Sequence, residues 1–187
     1  MMLQLTSYCF TNGHQININF VEDTKYLQKM IRQGNRVLWI DYGCCLDTDS
    51  FPMIFDQAKR DVLVFPAVKE GVDWDRFKRL VKDTTEPIEQ VGLDFDTDVD
   101  RKVSDGVWTV KRTVPKVFVI DGSAVDKKMR TKKGEGLRLP RDIDQIFEKF
   151  AESGVTIHAW VKAKIIVHYT HECVGNILEA NGVKINA

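Results

Sequence analysis

Three stretches of the sequence carry side chains suited to chemistry. The first, WIDYGCCLDTDS at 39–50, offers Asp41 and then Asp47 and Asp49, the last two spaced two apart. Carboxylates so placed after a strand can share a divalent cation, manganese or magnesium, that in turn neutralises a diphosphate. The same aspartates and Ser50 would equally serve to cap a following helix. The second, LDFDTDVD at 93–100, alternates Asp94, Asp96, Asp98 and Asp100. As a strand it would set four carboxylates on one face, where mutual repulsion favours a cation. It lacks the glycine and closing glutamate of a calcium loop, so a solvated acidic loop is the expected form. The third, HYTHEC at 168–173, holds His168, His171 and Cys173. These are borderline and soft metal donors, but no second cluster completes a tetrahedral zinc site. His168 follows the strand-like run KIIV and can act as a metal ligand or bond to backbone at the strand's end.

A fourth feature is basic: Lys127, Lys128, Arg130, Lys132 and Lys133 precede the GEG turn. Such a run is either a solvated face or a cover for a phosphate-bearing ligand. Cys44 and Cys45 have no histidine nearby in sequence, which gives little support to a nucleophilic thiol.

The elements that must position these residues follow from apolar periodicity. Lys plus Arg total 27 and Asp plus Glu total 27, so the net charge is zero and no general attraction to nucleic acid is expected. With 43% hydrophobic and 29% charged residues among 187, the chain reads as one globular domain, 1–187. No apolar run is long enough to span a membrane, and MMLQLTSYCF does not read as a signal peptide, so a cytoplasmic location with free thiols is expected.

Five short apolar runs predict strands at 37–40, 62–65, 107–110, 117–120 and 164–167. VLWI, VLVF and VFVI are nearly unbroken, as in strands covered on both faces. Helical spacing predicts helices over 21–33, 73–82, 123–130 and 142–153, with a shorter one capped by Ser50. Residues 83–105 read as acidic and turn-rich, and residues 131–138 as a Gly-containing basic loop. Strands alternating with helices predict an α/β fold: a mostly parallel central sheet with helices on both faces. In such sheets ligands bind beyond the carboxyl ends of the strands, which singles out Asp41, Pro66 and Asp121.

The order of these pieces resembles the small GT-A-type glycosyltransferase-like proteins of phages and large DNA viruses. The likeness is carried by VLWID at 37–41, DVLVFPAVKEGVDW at 61–74, VFVIDGSAVDKKM at 117–129, LPRDIDQIFEKFAESGVTIHAW at 139–160 and IIVHY at 165–169. It covers roughly residues 20 to 170 and rests on order and spacing. The resemblance implies transfer of a sugar from a nucleotide-sugar donor, with Asp41 on the metal and diphosphate, Asp142 as base or acceptor-positioning group, and His168 completing the metal site. Pro66 and Lys69 fall in the segment that would flank the nucleotide. The family's DxD motif reads Asp41-Tyr42-Gly43 here, its late acidic pair reads Arg141-Asp142, and its nucleotide-binding half is truncated at the N-terminus. A second expectation therefore stands beside the first: a catalytically inactive GT-A-like fold serving as a binding or virion-assembly component, in host cytoplasm or particle.

Overall fold

The computed structural model describes residues 1–56, 60–69, 74–80, 82, 93–130 and 138–167. Its elements in chain order are α1 (Met2–Thr11), α2 (Lys25–Arg32), β1 (Arg36–Ile40), β2 (Cys44–Leu46), a 3-10 turn (Thr48–Ser50), α3 (Phe51–Phe55), β3 (Val62–Val64), α4 (Trp74–Leu80), β4 (Thr97–Ser104), β5 (Val107–Thr113), β6 (Val117–Asp121), α5 (Gly122–Met129), α6 (Ile143–Glu152), β7 (Ile157–Trp160) and β8 (Ile165–Val167). All five predicted strands are present. No helix among the described residues is long and apolar enough to cross a membrane.

Six strands form one sheet in the order β1-β6-β3-β7-β5-β4, and β2 pairs with β8 in a second, two-stranded sheet. The expected mostly parallel sheet is corrected. Only β3 and β7 run parallel, while β1–β6, β6–β3, β7–β5 and β5–β4 are antiparallel. The sheet is mixed. Its strands nonetheless read as continuous apolar runs because both faces are covered.

Alternation along each strand splits the core in two. Val62, Val64, Phe118, Ile120 and Ala159 meet Leu27 and Ile31 of α2, Val125 and Met129 of α5, and Ile146, Phe147 and Phe150 of α6. Leu63, Phe65, Val117 and Val119 point the other way, onto Leu5 and Cys9 of α1, Phe51 and Ile54 of α3, and Cys44 and Leu46 of β2. Helices therefore lie on both faces, as the sequence predicts. Burial of these two sets is the main force holding the three layers together.

Four local expectations change. VLWI lies at one margin of the six-stranded sheet and is half-buried, not central. The helix expected over 73–82 from its apolar spacing packs no stripe into the core: Trp74 is 63% exposed, and α4 buries none of its residues. Residues 97–104 form a strand instead of a loop, because pairing with β5 satisfies their backbone despite the charged side chains. α5 starts one residue before the helix expected over 123–130, with Asp121 as its cap: Asp121 Oδ1 accepts from Ala124 N at 3.0 Å.

Candidate functional site

β1 and β3 each run antiparallel to β6, so they finish at the same end of the sheet. Asp41 and Pro66 stand there together, but Asp121, grouped with them by the positional rule, ends the oppositely directed β6 beside Arg36 and so lies at the other end of the sheet. Asp41 is half-buried. Trp39 Nε1 donates to its Oδ1 at 2.7 Å, and its backbone N donates to Lys116 O at 2.9 Å. Burial pushes the Asp41 carboxyl above its ordinary range, with the Trp39 bond and the Lys116 charge opposing in part. Cys44 N donates to Asp41 O at 3.1 Å. The buried Cys44 thiol is pushed up as well, first by burial and then by the Asp41 charge, the opposite of what a nucleophilic cysteine needs.

Asp96 is the best-connected side chain of this rim. It is 7% exposed, which corrects the expectation of a solvated position. Its Oδ1 accepts from Ala67 N at 3.1 Å and from Thr97 Oγ1 at 2.8 Å, and Oδ2 takes Lys116 N at 3.4 Å. Thr97 Oγ1 also lies 2.7 Å from Thr113 Oγ1. One carboxylate thus joins the segment after β3, the starts of β4 and β6, and the end of β5. Burial raises the Asp96 carboxyl, and its hydrogen bonds to Thr97, Ala67 and Lys116 work against that.

Pro66 sits between two residues whose N–H groups are used, Phe65 to Val117 O at 3.0 Å and Ala67 to Asp96. Lys69 follows. Its backbone N donates to Asp94 O at 2.7 Å, and its Nζ meets Asp94 Oδ2 at 2.7 Å. Asp94 in turn lines an open groove of about 440 Å³ with Arg76, Phe95, Thr97, Asp98, Val99 and Lys111. Two cations, two carboxylates and the half-exposed edges of Phe95 and Val99 face this space.

The other sequence candidates lie elsewhere. Asp47 Oδ1 accepts from Ser50 Oγ at 2.8 Å and from Lys164 N at 2.8 Å, which fixes the 3-10 turn and the approach to β8. Ser50 thus occupies the cap position of α3, but its hydroxyl serves Asp47. Asp49 is exposed. Asp142 is exposed at the cap position of α6, where its backbone O accepts from Ile146 N at 3.1 Å and its side chain makes no cap bond. His168, with His171 and Cys173, lies outside the described residues, as do Lys132 and Lys133. Among the described residues, no three His, Cys, Asp or Glu side chains are grouped to hold a metal ion.

Sequence reasoning missed Arg76, Lys111 and Lys116. The usable signal was Thr97 and Thr113, a hydroxyl pair at the open end of a hairpin.

At the opposite end of the sheet, Asp61 Oδ2 accepts from Lys128 Nζ at 2.5 Å and Thr156 N at 2.6 Å. Burial works against ionisation of Asp61, but these partners outweigh it and lower the carboxyl overall. On the neighbouring strand, His158 Nδ1 is buried with no hydrogen-bond partner among the described residues. Burial, reinforced by the Arg60 charge and opposed by Asp61, holds this imidazole below its ordinary value. A neutral folded histidine forfeits stability as pH falls below about 6.5. His158→Leu should therefore raise stability by about 1 kcal/mol at pH 8 by removing an orphan polar atom. Its advantage should be larger at pH 5.5. Urea melts at the two pH values test this, and an equal or smaller gain at pH 5.5 would refute the assignment.

Compared with known proteins, the chain matches no family model and no curated sequence.

Proposed function

We propose that the chain is a GT-A-like protein in which the fold serves recognition instead of transfer. In this reading it is a binding component, of a virus particle where the viral resemblance applies, and it takes a sugar-bearing ligand in the groove beside Lys69. The carrying observation is a division of labour among the carboxylates. Asp41 and Asp47 are engaged by protein donors outside this groove, whereas Asp98 and the Lys69-paired Asp94 line an open groove with Arg76, Lys111 and Phe95. Carboxylates and guanidinium beside an aromatic edge suit a ligand that is rich in hydroxyls and carries an anionic end. Leu3 and Phe10 of α1 are 87% and 88% exposed, which supports a protein partner as well.

The transferase reading is favoured by a different observation: Asp41 and Pro66 do share the carboxyl end of β1 and β3. Thermal shift of the full chain with a panel of nucleotide sugars, with and without manganese, separates the two. A ligand at one hundred times its Kd should stabilise by about 2.7 kcal/mol. The expected result is a shift independent of manganese, lost in Arg76→Ala, with no sugar transferred. No shift with any donor would sink sugar-nucleotide recognition. A manganese-dependent shift abolished by Asp41→Ala, accompanied by transfer, would establish the enzyme instead.

A further inference from the structure

α1 gives only one of its sides to the core. Leu5 and Cys9 are buried there, whereas Leu3 and Phe10 on the opposite side are 87% and 88% exposed. Their spacing of two helical turns places them on one stripe, about 10.5 Å apart along the axis, with Thr6 and Ser7 between them. The result is a seam that is large at each end and small in the middle. Thr6 Oγ1 already donates to Met2 O at 2.9 Å, so covering it strands no donor. The same kind of bond, to Leu3 O, is open to Ser7. Residues 1–21 hold no Asp, Glu, Lys or Arg side chain, although 29% of the chain is charged.

We propose that this seam is the contact between two copies of the chain, related by a two-fold axis that sets their α1 helices antiparallel. Leu3 of each copy then meets the partner's Phe10, and the small central residues let the two helix axes approach. The antiparallel arrangement also sets each helix N-terminus beside a C-terminus, which the helix dipoles favour. Charge selects a copy as the occupant. The seam brings no like charge against its own image, and it offers a foreign protein no charge pattern to recognise. The zero net charge of the chain leaves no long-range repulsion between copies. A lipid surface fits less well, because interfacial helices turn a basic face to the headgroups, whereas α1 holds no cation and packs its other side into the core. Two helices of this length cover less than the roughly 1,200 Å² of a stable complex, so the dimer is weak, with a Kd of about 10–100 µM. The contact specifies the protein partner that the exposed α1 supports, and it is independent of the groove beside Lys69.

Sedimentation velocity of the full chain from about 5 to about 500 µM should show a monomer–dimer equilibrium. Phe10→Asp and Leu3→Lys, each alone, should weaken it tenfold or more, because each sets a charge against an apolar side chain. Both positions are exposed, so the melting temperatures should stay near the parent's. Mixing the two variants should restore dimers: the introduced ammonium and carboxylate meet at one end of the seam, and a native Leu3–Phe10 contact remains at the other. A chain that stays monomeric throughout overturns the proposal, as does a dimer that neither variant weakens or a mixture that restores nothing. Binding to phosphatidylcholine vesicles by a chain that is monomeric in solution, lost in Phe10→Asp, would assign the seam to a lipid surface instead.

Discussion

Asp96→Ala should lower the unfolding free energy by about 3 kcal/mol, among the largest effects of any single polar substitution in this chain. Removing the carboxylate strands three donors that meet on it: Ala67 N, Thr97 Oγ1 and Lys116 N. Orphaned buried groups cost roughly 1–3 kcal/mol each, and partial solvent entry keeps the sum below the simple total. Asp96→Asn should behave differently. The amide keeps an acceptor at Oδ1 for Ala67 N and Thr97 Oγ1 and removes a charge that burial disfavours, but its NH2 faces Lys116 N in place of Oδ2, so it should cost about 1 kcal/mol at pH 7, well below the alanine variant. The pH profile makes the distinction sharp. The folded carboxyl holds its proton more tightly than the unfolded one, so the contribution of Asp96 to stability rises as pH falls from its raised value towards about 4. Asp41 contributes with the same sign, while His158 opposes below about 6.5 and Asp61 opposes only below the ordinary carboxyl range. Urea melts from pH 4 to 8 should show the Asp96 share of that rise missing in Asp96→Asn. A profile parallel to wild type would show that Asp96 is not the titrating group, and an Ala variant as stable as the Asn variant would show that the three donors find other partners.

The apolar framework was legible because strand alternation and helical stripes depend on local chemistry alone. Val62, Leu63, Val64 and Phe65 alternate between two cores, and Ile146, Phe147 and Phe150 repeat at helical spacing. Strand direction was not legible. A continuous apolar run usually marks a parallel strand because βαβ crossovers cover both of its faces. Here α1, α3 and the β2–β8 ribbon cover the second face, so antiparallel strands acquire the same pattern. β4 escaped notice because a marginal strand needs no apolar side, and TDVDRKVS carries the charges that keep such an edge from pairing further. β7 was hidden for a related reason: His158 interrupts IHAW at its centre.

The candidate site was legible in kind but not in arrangement. Four alternating aspartates between 94 and 100 were visible, but which one is buried depends on donors far away in sequence, Ala67 N and Lys116 N. Pro66 was singled out by its place after a strand and Lys69 by the family resemblance, and the structure connects Lys69 to Asp94, on the wall of a groove that neither predicts. Asp47 shows the converse. Its position in a loop after a strand suits a metal, yet the same loop offers Ser50 and the Lys164 N–H, and those contacts are what it makes. A short polar side chain between two elements serves whichever donor the fold brings near, and sequence does not reveal that donor.

Gly122→Ala should cost about 2–4 kcal/mol, for a reason opposite to that of Asp96→Ala: too much matter in place of too few partners. A Cβ at this position would fall well inside contact with the Asn35 carbonyl oxygen and within 3.1 Å of Asn35 N and Ile31 Cα. All three are backbone atoms, which no rotamer change can move aside. α5 would have to withdraw from the end of α2, straining the 3.0 Å bond from Gly122 N to Asn35 O. Overpacking of this kind costs about 1–3 kcal/mol, and the weakened hydrogen bond adds about 1 kcal/mol. Gly34→Ala is the informative contrast. Its φ of +74° and an added Cβ only 3.0 Å from the mobile Ser123 Oγ should cost about 1 kcal/mol, mostly through backbone strain. Stability equal to wild type would mean that the two helices do not meet as closely as described. A loss in Gly34→Ala as large as that in Gly122→Ala would show that backbone strain, not the close approach to Asn35, sets the cost.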